Sequence, residues 1–332
     1  MSTSAQVLIH PSQFPGKVRA DLLESLRTRH VNHKFHYDSV KQTQKWLTLH
    51  QAYSPSRTDA DCAAVYDRSF RGAADRVGSN AVQLVGLGCG GGQKDARLLA
   101  LLRQAGLKFA YTPSDVSVAI VLVARETASA VVTPSDCHPL VCDLAAADDL
   151  PAVLDEMAAL KTEKEAKRLV TFFGMIPNFE PEIILPRLAD LLRPSDLLIF
   201  SANLAPGPDY AAGVQKILPL YDNAPTREWL MTFLLDLGVE QGDGELLFSV
   251  EDDRATGLKR IAAWFHFQRP RTVFVEEEKF ELAAGDKVRL FFSYRHTPDR
   301  VRSMLERGGI KILDQWITQS EEEGVFLCVK TP

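Results

Sequence analysis

Hydrophobic positions along the chain fall into two rhythms. Between about residues 55 and 204, short apolar runs alternate with stretches that are apolar at every third or fourth position. The runs predict strands at 82–87, 108–115, 138–143, 168–174 and 196–204, and the amphipathic stretches predict helices at 92–105, 117–128, 150–160 and 181–192. Such alternation implies βαβ units and a parallel sheet. Runs such as Leu169-Val170-Thr171-Phe172-Phe173 and Leu197-Leu198-Ile199-Phe200 suit strands covered on both faces.

After Asn203 the rhythm changes. Ala205-Pro206-Gly207-Pro208 breaks the chain, a helical stretch follows over about 211–237, and 246–294 reads as a meander of longer alternating strands. A helix at 299–309 stops at Gly308-Gly309, and two strands, 311–318 and 324–330, are joined by the acidic turn Ser320-Glu321-Glu322-Glu323. The N-terminal stretch to about residue 57 carries one helix, 18–29, and then an aromatic-rich segment, expected to pack on the inserted unit and not on the sheet. There is no internal repeat and no low-complexity tract.

Composition narrows the class. With 332 residues and 45% hydrophobic content the chain can bury a large core as one large domain or two moderate ones. The net charge is −5, and the basic residues are scattered among acids, so a small-molecule ligand is expected and a nucleic-acid partner is not. The five cysteines (Cys62, Cys89, Cys137, Cys142, Cys328) form no C-x-x-C and follow no metal-ligand spacing, which predicts free thiols in a reducing cytoplasm and no metal site. The start lacks a signal-peptide pattern and no apolar run reaches membrane-spanning length, so neither secretion nor a membrane partner is expected.

The most informative segment is Val82-Gln83-Leu84-Val85-Gly86-Leu87-Gly88-Cys89-Gly90-Gly91-Gly92-Gln93-Lys94-Asp95, an apolar run entering five glycines and then a helix. Glycines allow positive φ and close approach to a ligand, and the free N–H groups of the helix start can face an anion. The spacing fits G-x-G-x-G (Gly86, Gly88, Gly90), as in S-adenosylmethionine methyltransferases, and G-x-G-x-x-G (Gly86, Gly88, Gly91), as in dinucleotide-binding domains. The loop by itself leaves both open, and with them a tight turn of purely structural origin.

Ligands of open α/β sheets lie across the carboxyl ends of the strands. Asp115, at the end of the second predicted strand, is placed to bind ribose hydroxyls, and Asp143, at the end of the third, to accept from an adenine amino group; the alternative for each is a helix cap. The fourth strand leads into Phe173-Gly174-Met175-Ile176-Pro177-Asn178-Phe179-Glu180-Pro181, where Asn178 could orient an amine or serve only as a turn residue. Tyr37, Tyr53, Tyr210, Tyr221 and Tyr294 would form one lid from two distant segments. His36, His266 and His296 read as packed or solvated side chains.

Taken together, these residues resemble the Nα-methyltransferases typified by the histidine Nα-methyltransferase of ergothioneine biosynthesis. The resemblance covers nearly the whole chain and rests on Phe35-His36-Tyr37-Asp38, Tyr53-Ser54-Pro55-Ser56-Arg57-Thr58, the glycine loop through Lys94, Ser114-Asp115-Val116, and Phe173-Gly174-Met175-Ile176-Pro177-Asn178. It implies an α/β class I methyltransferase, with a Rossmann-like sheet finished by an antiparallel terminal hairpin. The methyltransferase domain would comprise 55–205 plus 296–332, and a second α+β substrate-binding domain, formed by the N-terminus and an insertion, would comprise 1–54 plus 206–295. S-adenosylmethionine would be the cofactor, with Gly86, Gly88 and Lys94 at its methionine end, Asp115 on the ribose, Asp143 on the adenine and Gly174 beside the methyl donor. Asn178 and Tyr37 would orient the substrate amine, and Tyr53 and Tyr221 would hold its carboxylate. The protein would act as a monomer or weak homo-oligomer on an amino-acid-like small molecule.

Two positions depart from that family. Gly86 stands where an acid is usual before the glycine loop, and no acid lies nearby in the strand. The Glu and Ser that grip the imidazole in histidine-binding members align with Phe291 and Ser293. Phenylalanine cannot accept from an imidazole N–H, and the unpaired ring costs about 1–3 kcal/mol. The expected substrate is therefore an apolar or aromatic amino acid, fitted by Phe291 and the nearby Trp264, and not histidine. The alternatives are a nicotinamide-dependent oxidoreductase and a ligand-binding relative without activity.

Overall fold

The computed structural model describes residues 5–78, 81–159 and 166–331. In chain order the N-terminal segment forms β1 (Leu8–Ile9), α1 (Pro15–Thr28), α2 (Val40–Tyr53), α3 (Pro55–Thr58) and α4 (Ala60–Val77). The alternating region forms β2 (Ala81–Leu87), α5 (Gln93–Gln104), β3 (Lys108–Asp115), α6 (Val118–Ala128), β4 (Leu140–Val141), α7 (Leu150–Ala159), β5 (Lys167–Phe172), α8 (Pro181–Leu191) and β6 (Leu197–Asn203). The insertion forms α9 (Tyr210–Tyr221), α10 (Ala224–Asp236), β7 (Gly244–Asp252), β8 (Lys259–Phe267), β9 (Arg271–Val275), β10 (Glu278–Leu282) and β11 (Lys287–Arg295). The chain closes with α11 (Pro298–Arg307), β12 (Ile310–Ile317) and β13 (Glu323–Lys330).

Eight strands make one sheet in the order β1-β4-β3-β2-β5-β6-β13-β12. The first six run parallel, β13 is antiparallel to β6, and β12 is antiparallel to β13. The order reverses between β2 and β5, so their carboxyl ends open the crevice in which such sheets bind ligands. Apolar clusters cover both faces. One gathers Phe172, Phe200, Leu188 and Phe326, and the other Val65, Phe70, Leu84, Leu98 and Leu169. The near-continuous apolar strands of the sequence are thus explained by a sheet buried on both sides.

The predicted α/β alternation and the terminal hairpin are present, with three differences. The 211–237 stretch is two helices, α9 and α10, because the Asn223 side chain accepts from Thr226 N at 2.9 Å and caps the second. The 246–294 stretch is a three-stranded sheet, β11-β8-β7, beside a separate β9–β10 hairpin. The N-terminal segment touches both units. Leu8 and Ile9 pair with Leu140 and Val141 on the sheet edge, which corrects the expectation that this segment avoids the sheet. Further along, His10 and Gln13 still bond to the sheet unit, at Asp149 and Val116 O, while His36 joins the insertion: Trp229 Nε1 donates to His36 O at 2.8 Å and His36 Nε2 donates to Leu290 O at 2.6 Å.

Besides the single turn α3, two longer helices went unpredicted. In α4, Cys62, Val65, Tyr66, Phe70, Ala73 and Val77 are buried at helical spacing behind an Asp59 cap, a pattern the sequence carries openly. Helix α2 is polar along most of its length and is announced only by its Ser39/Gln42 capping box.

Candidate active site

A cavity of about 650 Å³ lies between the carboxyl ends of the parallel strands and the insertion. That is within the roughly 300–1,000 Å³ of small-molecule sites. Its two walls differ in chemistry.

The sheet-side wall starts at the glycine loop. Gly88 has φ near +57°, a left-handed conformation that favours glycine, and a Cβ there would also displace the Met175 side chain, whose Sδ would lie 2.1 Å away. Lys94 Nζ donates to Tyr66 Oη at 2.9 Å and stands 4.0 Å from Glu323. Asp115 lines the cavity at the end of β3 and accepts from Ser117 N at 3.2 Å; burial raises its pKa to about 6. It is not the cap of the following helix, because Ser117 fills that place. Asp143 lies two residues beyond the short β4, with its backbone N–H bonded to Ser12 Oγ at 3.0 Å and Lys34 Nζ 3.5 Å from its carboxylate. Gly174 turns the chain after β5 at φ near +65°. Asp95 also lines this wall, buried, with its pKa raised to about 6 by burial against the opposing hydrogen bonds from Thr171 and Tyr111.

The opposite wall is built of rings. Phe291 packs 5.9 Å from Trp229, 5.1 Å from His33 and 6.0 Å from Tyr221, measured between ring centres. Tyr37 packs 5.7 Å from Trp46, and Trp46 lies where a Cβ on Gly90 would meet it at 2.8 Å, so α2 closes directly over the glycine loop. The Tyr221 hydroxyl shares a hydrogen with Ser293 Oγ at 2.9 Å and receives one from Arg295 Nη2 at 2.7 Å. Asn178 Nδ2 donates to Phe292 O at 2.7 Å, which fixes the amide and presents its carbonyl oxygen as an acceptor. The Tyr37 phenol is pushed up first by burial and then by Asp115, so it stays protonated at neutral pH.

Of the residues singled out from sequence, Tyr37, Tyr53, Gly88, Lys94, Asp115, Asp143, Gly174, Asn178, Tyr221 and Phe291 line this one cavity. Gly86 is paired within β2 behind the wall, and Ser293 is buried beneath Tyr221. Trp264 does not line the cavity. It stands opposite Arg289 in the β8–β11 register and sends its indole N–H to Glu251, so Trp229 is the tryptophan beside Phe291. Two of the five lid tyrosines also turn elsewhere: Tyr210 donates to Arg295 O, and Tyr294 to Glu180 and Asp253. His36 and His296 are packed in the interior, each with its pKa lowered to about 4 by burial. Sequence reading missed Trp46, Trp229, Asp95 and Arg295. For Arg295 a signal existed, since it follows Ser293 by two in a strand and so shares its face.

The sequence is similar to known methyltransferases. Residues 18–330 match the family model described as histidine-specific methyltransferase, S-adenosylmethionine-dependent. The N-methyltransferase imqF of Aspergillus flavus is 25% identical over 284 residues, 82% of this chain and 73% of the relative. The histidine N-alpha-methyltransferase of Mycolicibacterium smegmatis is 25% identical over 308 residues, 90% of this chain and 89% of the relative. A solved structure of magnesium protoporphyrin IX methyltransferase from Synechocystis PCC 6803 is 14% identical, with a TM-score of 0.45 over 89% of this chain and 97% of that one. With a family match spanning almost the entire chain, the protein belongs to the histidine-specific, S-adenosylmethionine-dependent methyltransferase family and is an S-adenosylmethionine-dependent N-methyltransferase.

Proposed function

We propose that the protein methylates the α-amino nitrogen of an apolar or aromatic amino acid, or of a metabolite carrying one, and that histidine is not its preferred acceptor. The observation that carries this reading is Phe291, a phenyl ring at the cavity wall, backed by Trp229 and Tyr221. It occupies the position that the family resemblance assigns to a Glu gripping an imidazole. His33 refines the side chain expected. Its two ring nitrogens are buried without a hydrogen-bond partner among the described residues, and burial keeps the ring neutral, so it offers one donor and one acceptor. An aromatic side chain with one polar hydrogen, as in an indole or phenol, suits that neighbourhood.

The donor set fits S-adenosylmethionine. In this reading Asp115 takes the ribose hydroxyls, Asp143 the adenine amino group, and Gly88, Gly174 and Lys94 the methionine end. When bound, the donor supplies an electrophilic methyl group. The residues 55–205 and 296–332 would hold it, and 1–54 with 206–295 would enclose the acceptor. The attacking amine must be neutral. Asn178, through its carbonyl oxygen, and Tyr37, as a protonated phenol, would orient the lone pair, while water carries off the proton. Tyr53 and Tyr221 would hold the acceptor's carboxylate, with Arg295 adding its charge behind Tyr221.

The test is a calorimetric titration of S-adenosylmethionine followed by mass analysis of single amino acids incubated with enzyme and donor. Donor binding, with methyl groups added to the α-nitrogen of tryptophan or tyrosine, is the expected result. Absence of donor binding, or histidine as the best acceptor, would overturn the reading.

A further inference from the structure

Asp95 lines the cavity and has no role in the reading above. Asp95, in the first turn of α5, is 2% exposed. One of its oxygens accepts from the Tyr111 hydroxyl and the other from the Thr171 hydroxyl, each at 2.8 Å. Each carboxylate oxygen has a further lone pair to offer. Among the described residues Asp95 has no ion-pair partner. The ammonium of the adjacent Lys94 is bonded to Tyr66 instead.

Asp95 also explains the absent acid of the glycine loop. A Cβ on Gly86 would lie 2.1 Å from Asp95 Oδ2 and 3.1 Å from Asp95 Cγ. Gly86 is a strand residue paired on both sides, to Pro113 and Thr171, and its φ is not among the positive values, so its backbone does not itself demand glycine. The side-chain space of residue 86 is filled by a carboxylate from the facing helix. The acid usual at this point has not been lost. It enters from α5, and the glycine makes room for it.

We propose that Asp95 is a donor-binding residue that holds the ammonium of the donor's methionine moiety, paired with Lys94 for the carboxylate of that same moiety. The inference rests on the donor-binding half of the proposed function. A buried carboxylate bonded to two neutral hydroxyls, with the Lys94 charge near but not paired to it, is costly unless a cation arrives. An α-amino acid zwitterion supplies one, and the neighbouring Lys94 supplies the complementary charge. The raised pKa of Asp95 fits a site whose cation comes with the ligand.

Calorimetry with three probes separates the possibilities: S-adenosylmethionine, S-adenosylhomocysteine, and 5′-methylthioadenosine, which keeps the nucleoside and lacks the amino-acid end. Asp95→Asn should weaken the first two roughly tenfold or more, the scale of a hydrogen bond to a charged group, and leave methylthioadenosine within about twofold. Equal loss for all three probes, or no loss, overturns the proposal. If the unaltered protein fails to bind the first two probes, the donor reading itself falls instead. A relocation variant adds an independent check. Gly86→Asp combined with Asp95→Ser should bind S-adenosylhomocysteine more tightly than Asp95→Ser alone, with thermal unfolding verifying that both are folded. A folded double variant that recovers no affinity would show that the place of the carboxylate is not what matters.

Discussion

The carboxylates of Asp95, Asp115, Asp143 and Glu323 line the cavity from the side of the sheet, whereas the facing wall carries the rings of Tyr37, Trp46, Trp229, Phe291 and Phe292. The first wall follows from topology. Parallel strands end together, and the residues just beyond those ends, whatever they are, face one crevice. The second wall is assembled from segments distant in sequence, α2, α10 and β11, that meet only after the insertion folds back on the N-terminus. The sheet wall presents fixed charges suited to a polar cofactor. The ring wall sets Phe291, Phe292 and Trp229 beside the arginine-backed Tyr221, with Arg289 stacked over Phe292.

The contrast is tested most severely where the walls meet. Asn178→Ala removes the group proposed to orient the amine, and a misplaced nucleophile costs about a hundredfold in rate. Turnover should fall by that order while calorimetric donor affinity stays within about twofold; unchanged turnover would remove Asn178 from the mechanism. Next in size is Arg295→Met. It leaves Tyr221 without its cationic neighbour and should raise the acceptor KM by roughly tenfold or more, with kcat changed less. A loss confined to kcat would mean that Arg295 does not act through the acceptor's carboxylate.

The sheet wall alone should respond to mild acid. Asp95 and Asp115 are each raised to about 6 by burial. Both are ionised above that pH and protonated below it, so donor affinity should be full at neutral pH and fall as pH drops through about 6. Between about pH 7 and about pH 5 the loss is about tenfold for each carboxylate that binding requires. Calorimetry across that range checks it, and a flat profile would contradict ionised carboxylates at the donor. The smallest effect is expected on the ring wall. His33→Leu should lower kcat/KM for tryptophan by roughly fivefold to tenfold and leave phenylalanine nearly unchanged. Equal loss for both would make His33 a packing residue.

The same contrast separates what was legible in the sequence from what was not. The strands β2, β3, β5 and β6, the glycine loop, Asp115 and Asn178 lie within short windows whose period and spacing carry their own meaning. Asp95 was in plain view beside Lys94, yet its role depends on the absence of a side chain at Gly86 on another element, which only the packed structure relates to it. Trp229 and Trp46 came from helices whose apolar faces look ordinary until β11 and the glycine loop are set against them. Trp264 misled because it lies on β8, a different strand from Phe291, where the register and its bulge set Phe291 opposite Ala263 and Trp264 opposite Arg289.

Phe291 is the residue proposed to exclude histidine. The most direct measurement offers the enzyme and S-adenosylmethionine an equimolar mixture of tryptophan and histidine, and follows methylated products by mass for the unaltered protein and for Phe291→Glu. Tryptophan should be favoured by roughly tenfold or more in the first and lose that advantage to histidine in the second. Preferential methylation of histidine by the unaltered protein would contradict the account.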